Sequence, residues 1–230
     1  MNRQFYTEFG APFSATRGRL QPGVKRVLDA LKGDERVLDL GCGNGGLARE
    51  LARRGHRGAY LGLDTSPPLL SIAASMSEDY PAEFQEVDLV RLPTVRDQLS
   101  AGGRWPLITA FAVLHHIPDE TLRVEVLKTL HDLLAPGGRF IHSNWQFLNS
   151  ARLRARLQPW ETLGLTEADV DPADYLLDWR SGGKGLRYVH HFSEGELAGL
   201  AASCGFRIVD AFYSDGREGN LALYQIWEPH

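Results

Sequence analysis

The run Val37-Leu-Asp-Leu-Gly-Cys-Gly-Asn-Gly-Gly46 constrains the fold more than any other stretch of this chain. A short apolar strand that enters a glycine-rich turn is how a doubly wound α/β domain holds an adenosine-bearing cofactor. Gly41, Gly43 and Gly46 satisfy a G-x-G-x-x-G spacing, which suits NAD as well as S-adenosylmethionine (SAM). Asp39 separates the two. A carboxylate two residues before the first glycine would repel the pyrophosphate of NAD, whereas SAM brings an ammonium and a sulfonium, both cationic. Asp39 therefore favours a methyl donor over a hydride carrier, with an NAD-binding oxidoreductase as the competing class.

The next signals arrive at the spacing of a βαβ unit. Gly46 to Arg54 carries Leu47 and Leu51 among charged residues at helical period, and Ala59-Tyr-Leu-Gly-Leu63 follows as a second buried strand ending at Asp64. That acid lies about twenty residues past the glycine turn, where a ribose would sit. It can accept from both ribose hydroxyls, at roughly 1.5 to 3 kcal/mol per charge-assisted bond. A second reading has Asp64 only capping the helix that starts at Pro67-Pro68. A third stretch, Ala82 to Val87, leads to Asp88-Leu89, which could offer a side-chain acceptor and a backbone donor to an adenine edge. Asp39, Asp64 and Asp88 thus close three successive strands, and ligands of open α/β sheets bind at such carboxyl ends.

This pattern resembles a class I SAM-dependent methyltransferase across nearly the whole chain. Pro106-Leu-Ile-Thr-Ala-Phe-Ala-Val-Leu-His-His116 is similar to that family's fourth strand and loop, and Leu134-Ala-Pro-Gly-Gly138 to the turn before strand five, Arg139 to His142. In that turn Pro stops the helix and the paired glycines permit positive φ. Between the two landmarks, Leu122, Val126, Leu127, Leu130, Leu133 and Leu134 mark one apolar helical face. The resemblance implies an α/β fold: a doubly wound, mostly parallel seven-stranded sheet with helices on both faces, the last strand antiparallel, and a helical insertion after strand five. It implies SAM as cofactor. Asp39, Gly41, Cys42, Gly43, Asp64, Thr65, Asp88, Leu89 and Phe111 are the expected cofactor-binding residues, with Arg17 added from the N-terminal segment.

At 230 residues with 43% hydrophobic content the chain can bury one full core, and no linker or repeat suggests a second domain. Residues 1–230 are expected to form a single domain, with 1–32 as an N-terminal helical cap and 147–188 as a substrate-side insertion. No apolar run approaches a membrane span, the start lacks the apolar centre of a signal peptide, and a cytoplasmic location with no membrane partner is expected. Cys42 and Cys204 are too few and too far apart for a disulfide framework or a zinc site, so no metal is expected. The insertion holds basic Arg152, Arg154 and Arg156, then acidic Glu167, Asp169, Asp171, Asp174 and Asp178. It is either a solvated helical hairpin or a substrate roof. Trp145, Trp160, Tyr175, Trp179 and Tyr188 favour the roof, because flat rings stack on planar substrates. Downstream, Ser193-Glu-Gly-Glu-Leu197 opens like a capping box, and Phe206–Ser214 with 219–227 alternates like a closing hairpin.

A narrower resemblance rests on Phe13-Ser-Ala-Thr-Arg17, His115-His116, Trp145 and Arg187-Tyr-Val-His-His-Phe192. These are similar to the methyltransferases that esterify a carboxymethyl group on the wobble uridine of tRNA. Val189 and His191 depart from that family's Arg-Tyr-Tyr-His-Val-Phe, and Gln146-Phe147 stands where an acid is expected. The resemblance implies a tRNA anticodon loop as partner and, as in some relatives, a small zinc-binding activator subunit. A small-molecule acceptor is the alternative, and a non-catalytic partner subunit a further one. A carboxylate acceptor is already ionised and needs donors to orient it, for which Arg187, Tyr188, His190 and Arg17 are suited. A hydroxyl or amine acceptor would instead need a base, with His116, His190 or His191 as candidates or as ordinary structural histidines.

Charge bears on tRNA without deciding it. The chain carries a net −4, unfavourable for a polyanion. Residues 1–32 hold six Lys or Arg against Glu8 and Asp29, hence +4, which leaves −8 for the remainder. A basic start beside Arg152, Arg154 and Arg156 could still track phosphates.

Overall fold

The computed structural model describes residues 2–15, 18–75, 80–181 and 183–230. Two helices, α1 (Asn2–Ala15) and α2 (Pro22–Asp29), precede the sheet. The expected alternation follows: β1 (Val37–Leu40), α3 (Gly46–Arg53), β2 (Tyr60–Asp64), α4 (Pro67–Ser75), β3 (Ala82–Glu86), α5 (Leu92–Ser100), β4 (Trp105–Phe111), α6 (Glu120–Leu133) and β5 (Leu134–Trp145). An insertion contains α7 (Ala151–Arg154), β6 (Leu157–Gln158), β7 (Asp174–Trp179) and β8 (Gly185–His190). The chain then closes with α8 (Glu194–Ser203), β9 (Phe206–Ser214) and β10 (Ala222–Pro229).

Seven strands pair in the order β3-β2-β1-β4-β5-β10-β9, with β10 alone antiparallel to its neighbours. β1 is buried at all four positions, as a central strand covered on both faces must be. One face packs Leu92, Leu127, Leu130, Leu197 and Leu200 from α5, α6 and α8, and the other packs Val24, Val27, Leu47 and Leu51 from α2 and α3. Helix starts follow local chemistry: Asp119 accepts from Leu122 N at 3.1 Å before α6, and Ser193 accepts from Glu196 N at 3.1 Å before α8.

Three expectations change. The turn at Leu134–Gly138 is a bulged entry to β5, with the β4 register shifting between Trp105 and Leu107. Gly138 is required there because a Cβ would lie 2.8 Å from Ala135 O and 2.9 Å from Trp105 O. Glu196 does not close a capping box; its carboxylate is taken by His190 at 2.8 Å. The insertion is not helical in bulk. It is a three-stranded antiparallel sheet, β6-β7-β8, with one turn of α-helix and short 3-10 turns. Its strand acids are tolerated because each has a donor: Asp178 receives Arg156 Nε at 2.8 Å, and Asp174 receives the Tyr188 hydroxyl at 2.6 Å.

α1 lies across this small sheet and the main domain. Phe5 and Phe9 pack on Trp179, with Phe5 and Trp179 edge to face at 5.5 Å. Gly183 and Gly185 make the fit possible, since a Cβ at either would come within 2.8 Å of the Phe9 ring. Among the described residues no helix is long and apolar enough to cross a membrane.

Candidate active site

The carboxyl ends of β1, β2 and β4 open into a cavity of about 1150 Å³, roofed by α1 and the insertion. Asp39, Gly41, Cys42, Gly43, Asp64, Thr65, Asp88, Leu89 and Phe111 all line it. Arg17 lies outside the described residues. The glycine turn is built by conformation: Gly41 and Gly43 hold φ of 63° and 55°, and a Cβ on Gly41 would meet Val113 Cγ2 at 2.5 Å. Asp64 locks the turn by accepting from Gly43 N at 2.8 Å, and it also accepts from Ser66 N at 2.9 Å ahead of α4. Burial raises its pKa against those donors.

Asp39 is held more tightly than its place before the glycines suggests. Its two oxygens accept from the Tyr60 hydroxyl at 2.5 Å and Thr109 Oγ1 at 2.7 Å. Burial pushes the carboxyl up to about 7, with Tyr60 and Thr109 opposing and the Asp64 charge adding to the rise. Cys42 shares this wall. Burial and the acids Asp39 and Asp64 push its thiol far above the usual range, so it stays protonated and unreactive. Asp88 accepts from Val90 N at 3.3 Å and so orders the turn that carries Leu89.

The other half of the cavity lies under the insertion and gathers Trp145, Trp160, Arg152, Asp174, Arg187 and Tyr188. Arg187 is 3% exposed, and its guanidinium carbon stands 5.2, 5.5 and 5.2 Å from the ring centres of Phe5, Trp145 and Trp179. Its Nε has no hydrogen-bond partner, and among the described residues no carboxylate pairs with it. Tyr188 was expected to donate to an acceptor group, but its proton is committed to Asp174 Oδ1 at 2.6 Å. Arg123 Nη1 approaches the same hydroxyl at 3.4 Å. His190 is not on the cavity wall. It sits behind it, between Asp174 and Glu196, which corrects its expected role as a group facing substrate.

His116 does reach the wall, with both ring nitrogens engaged. Nε2 meets the Tyr6 hydroxyl at 3.0 Å, and Nδ1 lies 3.1 Å from Tyr188 O. Its neighbour His115 is buried, and desolvation together with His116 holds its pKa well below the ordinary histidine value. A neutral His115 Nδ1 can then accept from Trp145 N at 3.3 Å. Neither His190 nor His191 lines the cavity.

Asn2 and Tyr6 are wall residues that the sequence did not single out. Asn2 pairs with β8 as a strand neighbour would, receiving Tyr188 N at Oδ1 and donating from Nδ2 to Tyr188 O, both at 3.0 Å. Nothing in the local pattern of a polar chain start announces such a contact. Of Arg152, Arg154 and Arg156, only Arg152 lines the cavity. Arg154 bonds Leu148 O, and Arg156 bonds the Asp178 carboxylate and carbonyl, both at 2.8 Å.

A family model described as a methyltransferase domain matches residues 13–211. The chain is 32% identical over 131 residues to a chloroplastic tocopherol O-methyltransferase of Arabidopsis thaliana, covering 55% of this chain and 35% of that protein. It is 31% identical over 147 residues to a tRNA (carboxymethyluridine(34)-5-O)-methyltransferase of Mus musculus, covering 62% of this chain and 19% of that protein. The chain thus spans well under half of either relative. Among solved structures, a SAM-dependent methyltransferase of Methanosarcina mazei superposes with a TM-score of 0.65 at 21% identity, over 91% of this chain and 98% of that one. Magnesium protoporphyrin IX methyltransferase of Synechocystis PCC 6803 with bound SAH gives 0.66 at 18% identity, over 100% and 98%. These likenesses establish the shared fold.

Proposed function

The chain belongs to the methyltransferase domain family, and from that premise we propose that it transfers the methyl group of SAM to a carboxylate oxygen of its acceptor. The donor set fits SAM: a glycine turn closed by Asp64, carboxylates rather than cations at the strand ends, and an aromatic and aliphatic wall at Phe111 and Leu89. Asp64 and Thr65 would hold the ribose, Asp88 and Leu89 the adenine edge, and Asp39 and Gly41 the amino-acid end. Bound SAM supplies an electrophilic methyl carbon on a sulfonium.

One observation carries the acceptor assignment. Arg187 is a buried cation in the acceptor half with no carboxylate partner among the described residues. A buried charge left unpaired costs several kcal/mol, and three ring faces offset only part of that, about 0.5 to 2 kcal/mol each. An acceptor carboxylate would complete the pair and be held for in-line attack, with no base required. The roof formed by α1 and the insertion would exclude water, which strengthens the pairing.

A free carboxylic acid and the carboxymethyl group of a wobble uridine offer the same chemistry. The pairing of Arg156 with Asp178 favours the free acid, because that charge is already neutralised within the protein. The likeness to a tRNA methyltransferase over 62% of the chain favours the nucleoside. Methyl-labelled SAM should be incubated with the protein and either total tRNA or a low-molecular-mass acid fraction. Mild alkali releases methanol from methyl esters and not from ethers or methylamines. Label released from one fraction names the source, and alkali-stable label in both would refute carboxylate methylation.

A further inference from the structure

Behind the acceptor wall lies a group of buried charges that methyl transfer itself does not use. His190, whose side chain is 2% exposed, closes β8 and stands between Asp174 of β7 and Glu196 of α8. Its Nδ1 is 2.6 Å from Asp174 Oδ1, and its Nε2 is 2.8 Å from Glu196 Oε1. A neutral imidazole carries a single N–H and could donate to one of these carboxylates only. Two short contacts to two carboxylate oxygens are the geometry of an imidazolium.

The placement gives the charge a task. Asp174 lines the cavity, accepts the hydroxyl of Tyr188, which also lines it, and receives Asp171 N at 3.1 Å. Glu196 belongs to α8, whose Leu197 and Leu200 are set in the main core. The bond chain Tyr188–Asp174–His190–Glu196 therefore crosses from the insertion to the body of the protein. We propose that the His190 imidazolium is a positioning residue that fastens the acceptor roof to α8, so that the acceptor half is ordered while His190 holds its proton and loosens when the proton leaves.

The surrounding charges set the direction. Burial opposes the imidazolium, the hydrogen bonds to Asp174 and Glu196 favour it, and Arg123 of α6 opposes it, with the balance raising the pKa. Arg123 is itself paired with Asp171 at 3.0 Å, and the neighbouring His115 is held neutral. His191, next in the chain, also has its pKa lowered, by burial and by His190, and adds no competing charge. A raised pKa means that the fastening is complete below the ordinary histidine value and is lost as pH rises through the higher folded value.

The test follows exchange of backbone amides and the nitrogen signals of the His190 ring across pH 5.5 to about 9 in the full chain. After correction for intrinsic exchange, protection at Leu176, Leu177 and Tyr188 should fall by up to about tenfold per pH unit above the His190 pKa, while Leu38 and Ile108 of the main sheet hold steady. His190→Gln should abolish that dependence. Glu196→Gln should keep the roof fastened at low pH and move the midpoint down, a rescue that a merely space-filling role would not give. SAH, used as the cofactor probe, should bind within about twofold of wild type in both variants at pH 6.5. A neutral His190 ring at pH 6, insertion protection that ignores pH, or an unchanged dependence in His190→Gln would each overturn the proposal. Should His190→Gln fail to fold, the wild-type titration and Glu196→Gln decide it. These readouts do not depend on which acceptor is methylated.

Discussion

Asp39 should make cofactor binding release a proton. In the cofactor-free protein its carboxyl is pushed up to about 7 by burial, against an ordinary 3.8, so at pH 6 the group is mostly protonated. The sign follows from the raised value. Between pH 3.8 and about 7 the folded state holds a proton that the unfolded chain has lost, so stability falls as pH rises through that window, by on the order of 4 kcal/mol in all. A cationic ammonium placed against Asp39 reverses the preference and draws the proton off. Affinity for SAH should therefore weaken by up to about tenfold on going from pH 7 to 6, and level off above the Asp39 value. Calorimetry in two buffers of different ionisation enthalpy counts the proton directly, and about one should be released per SAH bound at pH 6. Asp39→Asn should bind SAH weakly, release none, show little pH dependence below 7, and be more stable than wild type above pH 7. A flat affinity between pH 5.5 and 7.5, or an equal slope in Asp39→Asn, would refute this assignment of the proton.

Asp64→Ala should weaken SAH binding by roughly ten- to a hundredfold, the loss of one or two charge-assisted bonds, since the same side chain also holds Gly43 N; calorimetry of the folded variant checks it. Arg187→Met should lower turnover by on the order of a hundredfold while SAH affinity stays within about twofold, a split read from release of alkali-labile label against calorimetry. Gly41→Ala should cost about 1 to 3 kcal/mol in urea unfolding, because the new Cβ meets Val113 and φ is 63°. Val113→Ala in the same chain should recover only the steric part.

The placement of the glycine turn and the strand-end acids on the cavity wall was legible because it is local. Each of Asp39, Asp64 and Asp88 stands where a short strand ends, and one glycine turn tells the backbone where to go, so periodicity and punctuation were enough. The acceptor half is assembled from distant pieces. Asn2 reaches Tyr188 across 186 positions and Tyr6 reaches His116 across 110, contacts that no window of sequence contains. The insertion misled for a related reason. Asp174 and Asp178 were counted among the acids of a helical insertion, and strand interiors disfavour Asp. Tertiary partners at His190 and Arg156 pay that penalty, and the segment becomes β7.

The same partners change what the insertion's charges mean. Read along the chain, three arginines followed by five acids suggested a phosphate track and a solvated face. In the fold Asp171 pairs with Arg123 at 3.0 Å, Asp174 with His190 at 2.6 Å and Asp178 with Arg156 at 2.8 Å, each partner drawn from a different element. These pairs link the insertion's strands to one another and to α6, and pairs of this kind are weak evidence of net stability. Against that background Arg187 stands apart, because it is surrounded by three rings instead of by an acid. Arg152 also faces the cavity, but it is exposed to solvent, so Arg187 is the buried cation that the proposed reading assigns to a ligand. On that reading the ligand would be an anion slender enough to enter beneath α1.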